Sequence, residues 1–123
     1  MSIPVGLDDL AAQIDVFGPT PYLLTVSDDG RAHAVSVAVT WLDGGLACGV
    51  GKRSTANATS RSNVSLLWPP HEPGGYSLIV DGDATGHDGN VVVQPTKAVL
   101  HRSAAAPDPT SACTSDCVAI NLC

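Results

Sequence analysis

A small antiparallel β-barrel carrying two short helices is the fold class this 123-residue sequence predicts, and three observations lead to it. Six or seven short β-type runs follow one another at regular spacing, divided by turn signals. The apolar residues, 44% of the chain, are mainly Val, Ala, Leu and Ile, and they come with twelve Gly and nine Pro, a mixture that suits strands and tight turns better than a helical bundle. Only two stretches carry a helical signal. The length fits one domain spanning 1–123, with one core.

Taken in order, Leu7, Leu10, Ala11, Ile14 and Phe17 recur at helical spacing, with Asp8 and Asp9 placed where the helix dipole favours acids. The spacing predicts a helix over 7–17, ended by Gly18-Pro19-Thr20-Pro21. Residues 22–27 (YLLTVS) form a β-type run, and Asp28-Asp29-Gly30 supplies a hairpin turn with Gly30 free to take the left-handed position. The next run, 33–41, alternates cleanly. His33, Val35, Val37, Val39 and Trp41 share one face, while Ala34, Ser36, Ala38 and Thr40 share the other. The second face is made only of small residues, which lets a sheet, a subunit or a flat ligand approach closely. Asp43-Gly44-Gly45 turns the chain back into a strand over 46–50, so the first three strands read as a meander.

A helix is expected over 54–60, then a mostly apolar and central strand over 64–68 (VSLLW), then a proline-rich loop over 69–75. Residues 76–87 form a strand in which Asp81-Gly82 signals a bulge. After the turn at Asp88-Gly89-Asn90, residues 91–94 and 98–101 read as one strand or two, interrupted around Pro95. Residues 103–116 have the composition of a loop or tail, and 117–122 (CVAINL) of a last short strand.

The formal charge of −6 and a sequence pI near 4.7 argue against nucleic acid and against an anionic membrane surface. No run reaches the roughly 20 apolar residues of a bilayer span, and the N-terminus lacks a basic region followed by an apolar block. A cytoplasmic location is the expectation, with Cys48, Cys113, Cys117 and Cys123 as thiols. Cys113-x3-Cys117 lacks the second pair of a zinc knuckle, so no metal site is assigned.

Against this acidic background one stretch reverses sign. Lys52, Arg53 and Arg61 are three of only six basic residues, and Lys52 and Arg53 stand with Ser54, Thr55 and Asn57 where the second helix begins. A helix N-terminus offers unpaired N–H groups and partial positive charge to an anion. The cluster reads either as a phosphate-binding corner or as an ordinary capped helix with solvated charges. No G-x-S-x-G, Walker loop or spaced carboxylate pair accompanies it. His33 sits on the small-faced strand, where it could orient a ligand or simply pack. Trp68 and Tyr76 flank the proline loop and suit either a pocket wall or core packing.

The order of these pieces is helix, DDG turn, Gly30-Arg31-Ala32-His33 strand, DGG turn, GVGKRSTANA helix, NVSLLW strand and Val80-Asp81-Gly82-Asp83-Ala84. This order resembles the pyridoxamine 5′-phosphate oxidase-like, FMN-binding split-barrel family, over residues 7 to about 102. The resemblance implies a split β-barrel of six to seven antiparallel strands and a homodimer with the flavin at the subunit interface. It also implies that Lys52, Arg53, Ser54, Thr55 and Asn57 gather about the cofactor phosphate, and that Val35, Ser36, Val37, Ala47 and Cys48 lie against its ring. The chain departs from the family pattern at Ser54, where lysine is frequent, and at Ser62-Asn63, where proline is usual. It also lacks the long C-terminal segment that completes the substrate pocket of true pyridoxamine phosphate oxidases. The resemblance therefore implies an FMN-dependent oxidoreductase of unknown substrate. The alternatives it leaves are a deazaflavin-dependent reductase, or a non-catalytic split-barrel dimer that binds flavin or haem. In every case the cofactor carries the chemistry and the protein supplies position, electrostatics and exclusion of water.

Overall fold

The computed structural model describes residues 1–87 and 89–103. Its elements, in order, are β1 (Ser2–Val5), a 3-10 turn (Leu7–Asp9), α1 (Leu10–Phe17), β2 (Tyr22–Val26), β3 (Ala32–Ser36), β4 (Val39–Leu42), β5 (Gly45–Gly49), α2 (Lys52–Ser60), β6 (Asn63–Trp68), β7 (Ser77–His87) and β8 (Asn90–His101). The expected last strand over 117–122, and all of the 103–116 tail beyond Ser103, lie outside the described residues.

All eight strands join one antiparallel sheet in the order β3-β2-β6-β7-β8-β5-β4, with β1 added against β8. The two outermost strands, β3 and β4, are consecutive in the chain and separated only by Val37 and Ala38. In a flat sheet the six steps between them would hold them about 29 Å apart. Three peptide units reach only about 11 Å. The sheet must therefore curl until its ends meet, and it forms a half-barrel. Backbone bonds from the Val37 N–H to the Pro21 carbonyl (3.0 Å) and from the Val39 N–H to the Pro19 carbonyl (2.8 Å) fasten the crossing.

This crossing corrects two expectations. The run over 33–41 is two strands rather than one, and the first three expected strands are not a meander. β3 pairs with β2, whereas β4 pairs with β5 at the opposite end of the sheet. Side-chain alternation nevertheless persists through the break: Val37 and Val39 are buried, and Ala34, Ser36, Ala38 and Thr40 are exposed. An eighth strand, β1, is not announced by the sequence. Its SIPV is short and contains a proline, and it pairs only as an edge, Ser2 opposite His101 through Val5 opposite Ala98.

Between β7 and β8 the register shifts at Asp81/Gly82. Asp81 faces Lys97 and Gly82 faces Pro95, so Thr96 is the extra residue, and its hydroxyl donates to the Asp81 carbonyl at 3.2 Å. β8 is one strand because the irregularity falls where it changes its other neighbour, from β5 (Asn90 to Val93) to β1 (Ala98 to His101). Pro95, which has no N–H, sits where none is required.

The core lies inside the curl. Leu23, Leu46, Leu66, Leu78, Val80, Val91 and Val93 are fully buried, and Leu10 and Ile14 of α1 close one end. Trp68, also buried, donates its indole N–H to the Gly18 carbonyl (2.7 Å) and so ties β6 to the end of α1. α2 packs across β2 and β7. Its close seat on β7 depends on Gly86, where a Cβ would stand 2.7 Å from Thr59 Oγ1.

Candidate functional site

The start of α2 is where β5 ends. Gly51 precedes the helix with no side-chain cap, and the first turn contains no acid. By helix geometry the N–H groups of Lys52, Arg53 and Ser54 have no intrahelical acceptor. Thr55 instead uses both its N–H (3.1 Å) and its hydroxyl (3.0 Å) on the Gly51 carbonyl. Lys52 and Arg53 are exposed and form no ion pair among the described residues. Two cations at the positive end of a helix dipole oppose its field, at a cost of about 0.3–1 kcal/mol each at an exposed site. An anion bound there reverses the sign of that interaction.

A groove of about 610 Å3 opens against this corner, lined on one side by Val35, Ser36 and Val37 and on the other by Lys52, Arg53 and Ser54. Its volume falls within the roughly 300–1,000 Å3 of small-molecule sites. Gly49, Val50 and Gly51 complete its lining with Gly89 and His33. Ser54 is only 3% exposed and lines the groove. His33 also lines the groove, and its Nδ1 is buried with no partner among the described residues.

The residues singled out in the sequence are thus sorted by the fold. Val35, Ser36, Val37, Lys52, Arg53 and Ser54 line one groove. Thr55 is turned back onto the helix. Asn57 is 5% exposed and donates from Nδ2 to Thr25 Oγ1 at 3.1 Å, a bond that seats α2 on β2. Ala47 is half-buried on β5 between Thr40 and Val92, outside the groove lining. Cys48 is fully buried and belongs to the core, and burial pushes its thiol up to about 11. Arg61 is not part of the cationic corner: its Nε donates to the Val26 carbonyl (2.8 Å) and its guanidinium pairs with Asp28 (2.6 Å). Trp68 and Tyr76 are not in the groove either. Trp68 is core, and Tyr76 lies beneath the Arg102 guanidinium, 4.6 Å from its ring centroid. Gly89, which also lines the groove, went unnoticed because it reads only as a turn glycine, an expectation its φ of 81° satisfies. No group of three or more His, Cys, Asp or Glu that could hold a metal ion occurs among the described residues. No helix of the described residues is long and apolar enough to cross a membrane.

With this geometry in place, comparison with known proteins gives two kinds of match. The uncharacterised proteins Mb0449c of Mycobacterium bovis and MT0457 of Mycobacterium tuberculosis are each 39% identical to the chain over 140 aligned positions, covering 96% of both partners. The chain belongs to the family of these mycobacterial proteins. No family model matches it. Among solved structures, an FAD-binding protein from Mycobacterium smegmatis superposes with a TM-score of 0.61 at 17% identity, covering 83% of this chain and 100% of its own. An FAD-binding protein from Mesorhizobium loti superposes with a TM-score of 0.61 at 12% identity, covering 85% and 98%. A Listeria innocua protein named after pyridoxamine 5′-phosphate oxidase gives 0.60 at 18%, covering 79% and 98%. At such identities these likenesses establish the fold. It is a mainly antiparallel split barrel with two short helices, with eight strands where six to seven were expected.

Proposed function

We propose that this protein binds a flavin through its 5′-phosphate at the start of α2, FMN in the simplest case, and acts as a flavin-dependent oxidoreductase on a small molecule. The observation that carries the reading is the convergence in one groove of two unpaired cations, three free helix N–H groups and the buried Ser54, together with the apolar Val35 and Val37. A phosphate needs the first set and a flat ring needs the second. Two of the solved structures that share the fold are named for FAD binding, which supports the choice of ring. Flavin, when bound, supplies the hydride and electron-transfer chemistry. The chain's residues hold the phosphate (Lys52, Arg53, Ser54), shield one ring face from water (Val35, Val37) and set the His33 imidazole in the groove lining.

The reading includes a homodimer. Ala34, Ser36, Ala38 and Thr40 leave an exposed face of small side chains beside the groove, and Tyr22, Trp41 and Leu42 are 43%, 44% and 51% exposed nearby. A second copy laid on that face would complete the groove's open side. Flavin fluorescence titration tests the site: FMN is expected to bind at least about tenfold tighter than riboflavin, because only FMN carries the phosphate. Equal affinity for the two would refute the corner.

A further inference from the structure

Lys52, Arg53 and His33 do not stand at the end of the groove. A second groove of about 690 Å3 shares all three and continues to the β2–β3 turn, where Ser27, Asp29 and Arg31 line it. A mononucleotide ends at its phosphate, so cations placed for FMN alone have no use for a polar extension beyond them. We infer that Ser27, Asp29 and Arg31 form a second subsite, which takes the nucleotide half of a flavin dinucleotide: its second phosphate at Arg31 and a ribose hydroxyl at Asp29. This inference rests on the flavin reading and names the cofactor class within it.

The chemistry of the turn matches that ligand. Arg31 is a fork-shaped donor with an 85% exposed side chain, held 3.4 Å from Asp29. It can therefore turn to a phosphate without losing a buried contact. The Ser27 hydroxyl, and then the Arg31 N–H, hold the Asp29 carboxyl below its ordinary range. Asp29 is thus an ionised acceptor, the group that takes a ribose hydroxyl in other dinucleotide sites. The neighbouring acid, Asp28, is neutralised by Arg61. The second groove is thus lined by Arg31, Lys52 and Arg53 against Asp29 and the Arg61-paired Asp28, and the balance favours an anion. The subsite is also built before any ligand arrives. Gly30, at φ 83°, closes the turn with its N–H on the Ser27 carbonyl (2.9 Å), and Arg61 fastens that turn to the end of α2.

Titration of the full chain with FMN, FAD and a deazaflavin phosphate, on the wild type and on Arg31→Gln, tests this. FAD is expected to bind at least about tenfold tighter than FMN. Arg31→Gln removes that advantage and leaves FMN affinity within about twofold, with an unchanged melting temperature as the folding control. If FAD and FMN bind equally and Arg31→Gln alters neither, the second subsite is overturned while the flavin site stands. Arg31-dependent binding of the deazaflavin, with FAD no tighter than FMN, overturns the nucleotide assignment. Failure of every flavin to bind refutes the underlying reading, and the subsite with it.

Discussion

Replacing Arg61 with alanine, beside the same change at Arg53, separates two cations that look alike in the sequence. Arg61 is tied down: Nε donates to the Val26 carbonyl at 2.8 Å, and Nη2 pairs with Asp28 at 2.6 Å. The Arg61 side chain is 36% exposed and that of Asp28 is 92% exposed, so solvent screens much of the pair. The ion pair then contributes about 0.5 kcal/mol. The charged bond to the backbone carbonyl contributes about 1 kcal/mol, below the range for buried charged bonds. Arg61→Ala should therefore destabilise the fold by about 1.5 kcal/mol, or about 7 °C in melting temperature for a domain of this size. FMN affinity should stay within about twofold, because Arg61 lies outside the groove that takes the mononucleotide. Arg53→Ala should do the opposite. It removes no contact among the described residues and relieves a cation at a helix N-terminus, so stability should change by less than about 0.5 kcal/mol. FMN affinity should fall about ten- to a hundredfold. Thermal melts and fluorescence titrations on both variants decide the matter. If Arg61→Ala weakens FMN as much as Arg53→Ala does, the division into a structural and a binding cation is wrong.

Two further outcomes follow from the packing. Gly82→Ala should destabilise the fold by about 1–3 kcal/mol in urea titration, since a Cβ would stand 2.5 Å from the Gln94 carbonyl oxygen, backbone that cannot yield; Gly86→Ala should cost less, because the atom it meets at 2.7 Å is the side-chain hydroxyl of Thr59, which gives way at the expense of its bond to the Thr55 carbonyl, and the reverse ranking would contradict the bulge geometry. Cys48 should be alkylated at pH 8 about a hundredfold more slowly than a free thiol, because raising its pKa from 9.0 to about 11 removes that share of thiolate; the sign is that of a buried acid kept protonated, and peptide-resolved mass spectrometry reading a rate equal to that of the unfolded chain would refute it.

Much of the fold was legible in the sequence because it is written in local rules. The turns at Asp28-Asp29-Gly30 and Asp43-Gly44-Gly45 were readable from glycine, and Gly30, Asp43 and Gly44 do adopt positive φ, at 83°, 50° and 82°. The two faces of the run over 33–41 survive the strand break, with Val37 and Val39 buried and Ala34, Ser36, Ala38 and Thr40 exposed, but not to its end, where Trp41 is 44% exposed. The bulge at Asp81-Gly82 was readable too, although its extra residue, Thr96, sits on the partner strand. What failed was long-range. β1 is an edge strand whose existence depends on β8, ninety-odd residues away, and a four-residue run with a proline carries no periodicity to announce it.

The candidate site divides along the same line. By itself the sequence determined that a cationic, hydroxyl-bearing helix start stands alone in an acidic chain, and that a strand with one face of small residues exists to lie near it. It could not separate Arg53 from Arg61, or Ser54 from Asn57, because residue type and spacing are the same whether a side chain meets solvent, a backbone carbonyl or the core. Tertiary structure decided those cases. Curling the sheet so that β3 and β4 meet brings Val35 and Val37 to the start of α2, and docking α2 on β2 commits Asn57 to Thr25 and Arg61 to Val26. It also decided that Lys52 and Arg53 lie between two grooves rather than at the end of one. That position depends on which strands become neighbours, and neighbours are set by packing the whole chain.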